Sequence, residues 1–193
     1  MLVGLLADTH VPYRALEILP AAVMALQGVD VILHAGDVDD PACLAPLRAL
    51  APVHAVRGNF HLLDLSSGGA SLPEHIALTL AGWRVVVTHG HRMGAASLVW
   101  KVRYVLRQLR GCTGGFPAYD AAIARTLLRR FPNADVIVFG HTHRYYEARW
   151  GQTLIINPGA ALASAYFNLP AQPSVARLKL FAGDPPQVTR VLL

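Results

Sequence analysis

The sequence predicts an α/β protein, a four-layer α/β/β/α sandwich in which two mixed sheets are flanked by helices. Three observations favour this fold. Short apolar runs rich in β-branched residues recur along the chain, and polar residues follow each of them, as in buried strands. Helical spacing separates the first three runs, while the last part of the chain contains strands paired through turn residues. The length of 193 residues is typical of one domain, so a single domain over residues 1–193 is expected.

The first part of the chain predicts a β-α-β-α-β unit. Its strands are predicted at Leu2–Ala7, Val31–Leu33 and Val53–Val56, and its helices at Ala15–Gln27 and Pro41–Leu50. The second helix has a clear start, because Asp40 can cap it and Pro41 fits its first turn.

The rest of the chain predicts three hairpins and one further buried strand. The hairpins are Ile76–Leu80 with Arg84–Thr88 around Gly82, Tyr145–Trp150 with Thr153–Ile156 around Gly151, and Val175–Phe181 with Val188–Leu192 around Gly183 to Pro186. Val136–Phe139 is the further strand. A helical insertion is expected around residues 95–116, because Ala95–Arg110 places an apolar stripe beside Arg103, Arg107 and Arg110.

Composition excludes several classes of protein. With 53% hydrophobic and 15% charged residues, the chain is not a disordered tail protein. A membrane span needs about 20 apolar residues, and the best candidate, Ala15 to Val29, is interrupted by Glu17, Pro20 and Gln27. The first strand runs into Asp8 without a basic flank, which disfavours a signal peptide and favours a cytoplasmic protein. Two cysteines without a C-x-x-C pair predict neither a disulfide framework nor a thiolate metal site.

The charge distribution predicts a positively charged face. The formal net charge is +5, and the stretch between Glu74 and Asp120 holds six cations but no acidic residue. We expect a local positive field over one face of the protein. A nucleic acid is compatible with this charge, but a single domain offers little surface for a long duplex.

Polar clusters follow five of the predicted strands. They are Asp8-Thr9-His10, His34-Ala35-Gly36-Asp37, Arg57-Gly58-Asn59, Thr88-His89-Gly90-His91 and Gly140-His141-Thr142-His143. Each has an ordinary explanation when taken singly, since Asp37 can cap a helix and Asn59 can form a turn. Ligand sites in open α/β sheets lie at the carboxyl ends of the strands, where all five clusters meet. Carboxylates, imidazoles and an amide in this number predict two divalent ions that share a carboxylate.

These motifs, in this order, resemble those of the calcineurin-like metallophosphoesterases, specifically their small single-domain bacterial and archaeal phosphodiesterase branch. The family pattern is D-x-H, G-D, G-N, a strand-end H and G-H-x-H. It corresponds here to Asp8-Thr9-His10, Gly36-Asp37, Gly58-Asn59, His89 and Gly140-His141-Thr142-His143. The later Asn157-Pro158-Gly159 resembles a further turn motif of this branch.

The resemblance implies two ligand sets. Asp8, His10, Asp37 and His143 would hold one metal, and Asp37, Asn59, His89 and His141 the other, with Asp37 as the bridge. Four imidazoles disfavour Mg²⁺; Mn²⁺ is the expected ion, with Fe, Zn²⁺, Co²⁺ and Ni²⁺ as alternatives. The implied reaction is hydrolysis of a small or nucleotide-like phosphodiester, in which a hydroxide bridging the two metals attacks phosphorus.

The sequence departs from the family pattern beside the second ligand set. Many relatives carry a histidine directly after the G-N motif, where this chain has Phe60 followed by His61. Because Phe60 cannot donate a proton, diesters with acidic leaving groups are favoured. His61 and His91 are candidate catalytic proton donors beside Asp37 and Asn59, with a supporting or packing role as the alternative.

Arginines supply candidate contacts to the substrate. Arg57 and Arg92 are the predicted phosphate ligands. The stripe of Arg103, Arg107 and Arg110 is compatible with a lid, a solvated face or a contact within a homo-oligomer. Two other functions remain alternatives: a nuclease, and a scaffold similar to the phosphoesterase-like subunit of retromer with a vestigial metal site.

Overall fold

The computed structural model describes residues 1–59, 71–91, 117–162 and 172–193. The strands are β1 (Leu2–Leu6), β2 (Val31–His34), β3 (Val53–Ala55), β4 (His75–Leu80), β5 (Trp83–Thr88), β6 (Val136–Val138), β7 (Tyr145–Trp150), β8 (Thr153–Pro158), β9 (Ser174–Phe181) and β10 (Asp184–Leu192). The helices are α1 (Pro20–Ala25), a 3₁₀ turn at Pro41–Leu44, α2 (Ala45–Arg48) and α3 (Pro117–Arg130). The helical insertion predicted around 95–116 lies outside the described residues.

Two mixed five-stranded sheets form the centre of the protein. The first has the order β10-β9-β1-β2-β3, and the second has the order β4-β5-β6-β8-β7. Strands β1, β2 and β3 are parallel to one another, as are β5, β6 and β8. The antiparallel hairpins are β9 with β10 in the first sheet, and β4 with β5 and β7 with β8 in the second. The predicted combination of a parallel β-α-β-α-β unit with later hairpins is confirmed.

Each sheet has an apolar layer on both faces, because successive side chains along a strand point to opposite faces. Along β1, Val3 and Leu5 face the second sheet, whereas Leu6 faces α1 and α2. Along β6, Val136 and Val138 face the first sheet, and Ile137 packs against α3. Since both faces of each sheet are buried, these strands are apolar throughout. The four-layer α/β/β/α sandwich predicted from the sequence is therefore confirmed.

Three elements that contain prolines differ from their predicted bounds. The first helix begins at Pro20 and not at Ala15, because proline is favoured in the first turn and leaves residues 15–19 in a non-helical approach. The second predicted helix divides into the 3₁₀ turn and α2, with the Asp40 carboxylate accepting from the Ala42 amide as expected. The last strand begins at Asp184, and a register shift between Asp184 and Gln187 accommodates two prolines on this edge strand.

Helix α3 is an element that the sequence interpretation did not assign. It spans 14 residues and covers the second sheet with Ile123, Ala124 and Leu127. Tyr119 and Asp120 in its first turn lie beside the strand ends of that sheet, near His141 and Thr142. In the described part of the chain, no helix is both long enough and apolar enough to span a membrane.

Candidate metal centre

The five polar clusters meet at one edge of the two sheets. Parallel strands point their carboxyl ends in the same direction, and the clusters follow β1, β2, β3, β5 and β6. The two sheets are joined there by the amide of His141, which donates to both carboxylate oxygens of Asp8 at 3.1 Å. Residues 8 and 141 are thus brought together from different sheets.

The first group of donors, named site A, comprises Asp8, His10, Asp37 and His143. One ligand atom from each of the four lies within 4.8 Å of the others. Nε2 of His10 is 3.2 Å from Nε2 of His143 and 3.3 Å from a carboxylate oxygen of Asp37. Asp8 and His10 are fully buried, while 23% of the His143 side chain is exposed. Site A is therefore a candidate divalent metal site with one side open to solvent.

The second group, named site B, comprises Asp37, Asn59, His89 and His141. The amide oxygen of Asn59 lies 2.9 Å from Nε2 of His89 and 2.8 Å from Nδ1 of His141. Nε2 of His89 is also 3.5 Å from Oδ1 of Asp37. Asp37 contributes to both sites, because its other carboxylate oxygen faces His10 in site A.

The donor atoms of site B fit a bound cation. Nδ1 of His89 lies 2.9 Å from the Ala35 carbonyl, which can only accept, so this nitrogen carries the proton in the neutral ring. Nε2 of His89 then presents a lone pair to the oxygen atoms of Asn59 and Asp37. Three acceptors that face one another are suited to a cation between them, and a divalent cation fits that position. Imidazole, carboxylate and amide donors suit Mn²⁺ or the other transition ions better than Mg²⁺.

Glycines allow the clusters to approach this closely. A Cβ on Gly58 would collide with the carboxylate and the backbone nitrogen of Asp37. A Cβ on Gly36 would lie 2.5 Å from Nδ1 of His89, and one on Gly140 would lie 2.8 Å from the Ala35 carbonyl oxygen. The glycine of each G-D, G-N and G-H motif is therefore required by contact between neighbouring loops.

Backbone conformation is unusual at most of the candidate ligands. Positive φ angles of 49° to 73° occur at five of them, namely Asp8, His10, Asp37, His141 and His143. For residues other than glycine this region costs about 1 kcal/mol or more each. Such strain persists only when the surrounding structure enforces it, and its concentration here is typical of a functional site.

Burial shifts the pKa values of several site residues. It lowers the pKa of His141 and of His143 to about 3, so that both rings are neutral at physiological pH and present lone pairs. It raises the pKa of Asp8 well above the usual range, and the nearby Asp37 carboxylate acts in the same direction. Two buried carboxylates side by side are unfavourable without a cation, which supports the metal-site interpretation.

A hydrogen-bonded network holds the loop that carries His141 and His143. The Thr142 hydroxyl donates to the Asp120 carboxylate at 2.6 Å, and Arg144 pairs with the other oxygen of Asp120 at 3.3 Å. Nδ2 of Asn157 donates to the Gly140 carbonyl at 2.8 Å and to the Thr142 hydroxyl at 3.0 Å. The predicted turn motif at Asn157 thus braces the ligand loop.

Tyr119 is a further residue of the site that the sequence interpretation missed. Its hydroxyl lies 3.1 Å from Nε2 of His141, the ring nitrogen that does not face Asn59. An Nε2–H donated to this hydroxyl leaves Nδ1 free to bind a cation. Tyr119 and Asp120 belong to the unassigned helix α3. The available signal was an acidic residue in the first turn of an amphipathic segment that ends at Arg130.

His34 links the loops that follow β1 and β2. The Gly36 amide donates to Nδ1 of His34, and Nε2 lies 3.1 Å from the Thr9 hydroxyl. Burial lowers its pKa to about 3, which keeps the ring neutral. His34 therefore lies behind the candidate ligands and positions their backbone.

Two of the remaining predicted site residues, His91 and Arg57, lie in the described part of the chain. The ring centroid of His91 is 5.6 Å from that of His89 and 6.4 Å from that of His141, so His91 lies beside site B. Arg57 forms an ion pair with Glu74 at 3.5 Å, and Glu74 also pairs with Arg130. His61, Arg92 and the Arg103, Arg107 and Arg110 stripe lie outside the described residues.

Comparison with known proteins identifies relatives across nearly the whole chain. A family model described as the calcineurin-like phosphoesterase superfamily domain matches residues 1–181. A probable metallophosphoesterase of Methanothermobacter thermautotrophicus is 31% identical over 160 residues, which are 83% of this chain and 77% of that protein.

Solved structures share the fold. Wild-type Vps29 of Entamoeba histolytica complexed with Zn²⁺ superposes with a TM-score of 0.67 and 23% identity, covering 100% of this chain and 99% of that one. A novel archaeal phosphodiesterase gives a TM-score of 0.61 and 15% identity, with 100% of both chains covered. At these identities the likeness establishes the architecture alone.

Proposed function

Because the chain belongs to the calcineurin-like phosphoesterase superfamily, we propose that it is a phosphodiesterase that uses two divalent cations to hydrolyse a small or nucleotide-like phosphodiester. The observation that carries this proposal is that the other six predicted ligand residues lie in two groups around Asp37. Each of its carboxylate oxygens faces a different group of donors, at 3.3 Å from His10 and 3.5 Å from His89. Shared carboxylates of this kind hold ion pairs that act on phosphoesters.

The residues divide the chemical work among themselves. A bound pair of divalent cations would lower the pKa of a water molecule and neutralise charge on the phosphoryl oxygens. Asp37 fixes the separation of the two sites, and Asn59 adds a neutral oxygen that does not reduce the positive charge offered to the substrate. His91, beside site B, is the described candidate for donating a proton to the leaving alkoxide. Diesters with acidic leaving groups need this proton least, which favours them as substrates.

Mn²⁺ is the proposed resident ion, with Fe, Zn²⁺, Co²⁺ and Ni²⁺ as alternatives. Four imidazole nitrogens lie in the two sites, and such sites disfavour Mg²⁺. The archaeal phosphodiesterase of similar fold supports diester chemistry in this architecture. A cytoplasmic location, a small-molecule partner and self-association stay predictions.

A scaffold is the second candidate function, favoured by the likeness to Vps29 structures at TM-scores of up to 0.68. One of those proteins was solved with a cyclic peptide, so this fold can present a surface to a peptide ligand. A scaffold with a vestigial site has no need of buried carboxylates and strained ligand backbones. The strain at five candidate ligands therefore favours the enzyme.

Metal analysis combined with hydrolysis assays tests the proposal. Purified protein loaded with Mn²⁺ is compared with Asp37→Ala on bis(p-nitrophenyl) phosphate and on the matching monoester, p-nitrophenyl phosphate. We expect two ions per chain, a preference for the diester, and loss of both ions and of at least about 1,000-fold in rate in the variant, since the shared ligand is removed. Asp135→Ala is the matched control, because Asp135 is a carboxylate that pairs with Arg84 just before β6, at the end of the second sheet opposite the metal centre.

Different failures have different meanings. Equal rates in wild type and Asp37→Ala would reject metal catalysis at this site. A preference for the monoester would reject the substrate class but not the metal centre. A wild-type protein that binds no metal and hydrolyses neither ester would favour the scaffold.

A further inference from the structure

The turn after β1 brings a cation to the metal centre. Residues 11–15 fold back because the amides of Arg14 and Ala15 both donate to the His10 carbonyl, at 2.8 and 3.2 Å. Nη1 of Arg14 consequently lies 3.4 Å from Nε2 of His10. That ring nitrogen is the one that faces His143 and Asp37. The partly buried guanidinium of Arg14 is therefore located at the edge of site A.

The charge of Arg14 lies next to the candidate ligands of site A, because its Nη1 is 3.4 Å from Nε2 of His10. A guanidinium close to a divalent cation is repelled by it. The two positive charges are compatible when an anion lies between them and interacts with both. The position of Arg14 thus disfavours a cation alone and favours a cation with a bound anion.

Two other arginines near the ligand loops already hold carboxylates. Arg57 pairs with Glu74, and Arg144 pairs with the buried Asp120. A phosphate that bound either arginine would have to break that ion pair. Moreover, the pair of Arg144 supports the loop that carries His141 and His143. Neither is as well placed as Arg14, whose guanidinium already contacts a candidate ligand.

We propose that Arg14 is a substrate-binding residue whose guanidinium contacts the non-bridging oxygens of the phosphoryl group at site A, an inference that rests on the proposed phosphoesterase function. Arginine presents parallel N–H donors that match two phosphate oxygens, which lysine cannot do. Part of the His143 side chain is exposed, so an anion can reach site A from solvent.

Phosphate binding and metal stoichiometry test this role together. Inorganic phosphate is titrated by calorimetry into protein saturated with Mn²⁺, for the wild type, Arg14→Gln and Arg14→Lys. We expect Arg14→Gln to weaken phosphate binding by about 10- to 100-fold, the loss typical of a charge-assisted contact, with Mn²⁺ per chain unchanged. Arg14→Lys should recover part of the affinity, because it keeps the charge but loses the paired donors. KM for the diester should be lowest in the wild type, higher in Arg14→Lys and highest in Arg14→Gln.

Arg84→Gln is the matched control, since Arg84 is an exposed arginine near the start of β5, the strand that His89 follows. Unchanged phosphate affinity in Arg14→Gln would overturn the inference. Loss of Mn²⁺ from that variant would also overturn it, in favour of a structural role. If the wild type binds phosphate through Arg14 but hydrolyses no ester, the inference holds and the proposed function fails.

Discussion

Sites A and B share Asp37 but are supported to different degrees. In site B the outward-facing nitrogens of both histidines have partners within hydrogen-bonding distance: His89 is 2.9 Å from the Ala35 carbonyl, and His141 is 3.1 Å from the Tyr119 hydroxyl. In site A the corresponding nitrogen of His10 lies 3.7 Å from the Asp39 carboxylate, beyond hydrogen-bond distance. Site A also has a guanidinium at its edge.

This difference indicates that closer partners orient the imidazoles of site B than the Asp39 carboxylate that faces Nδ1 of His10 in site A. Partners that fix the orientation of a histidine raise metal affinity by roughly 10- to 100-fold. We therefore expect site B to bind its cation more tightly than site A. The guanidinium of Arg14 beside site A suits the half of the centre at which an anionic substrate binds.

Gly58→Ala should cause the largest loss of metal binding, because it displaces Asp37, the residue that both sites share. The new Cβ would collide with the Asp37 carboxylate and amide nitrogen, so the carboxylate must move away from both sites. We expect Mn²⁺ content to fall from two ions per chain to nearly none, as measured by elemental analysis after desalting. Gly82→Ala is the control, with a positive φ of 86° but open space around the added carbon, and should cost only about 1 kcal/mol of stability. Retention of one ion in Gly58→Ala would show that the sites are independent.

Tyr119→Phe should weaken site B selectively. The substitution removes the hydroxyl beside Nε2 of His141 and keeps the ring, so the imidazole loses its orientation while packing is preserved. We expect roughly 10-fold weaker Mn²⁺ binding, measured by calorimetry in a His143→Ala background that retains only site B. In the opposite background, His89→Ala, the same substitution should leave site A unaffected. Tyr146→Phe is the control, as Tyr146 bonds Trp150 on β7. Equal weakening at both sites would remove the basis for the comparison.

The approach of the candidate metal ligands to one another could be predicted from the sequence, because each of them follows an apolar strand. Asp8 after β1 and His141 after β6 are 133 residues apart, yet parallel strands impose a common edge on them. The four-layer fold follows from the same apolar strands, which are buried on both faces. These features depend on local pattern and strand direction, both of which can be read from one sequence.

The surrounding residues could not be predicted, because they depend on tertiary geometry. Tyr119 reaches His141 only because α3 packs across the second sheet, and Asp120 meets Thr142 for the same reason. Arg14 approaches His10 through a turn whose form depends on the His10 carbonyl. The sequence predicts phosphate contacts at Arg57 and Arg92, and its spacing gives no sign of the ion pair between Arg57 and Glu74.

Asp39→Asn should have the smallest effect and gives the sharpest comparison of the two sites. Asp39 is buried, and within the described ranges its Oδ2 accepts no hydrogen bond, while Oδ1 stays 3.7 Å from His10. A contact of that length orients the ring weakly, so Mn²⁺ binding at site A should weaken by less than about 10-fold, as measured in the His89→Ala background. A loss as large as that from Tyr119→Phe would mean that Asp39 closes onto His10 when a cation binds. Site A would then be as firmly supported as site B, and the difference between them would belong to the metal-free protein only.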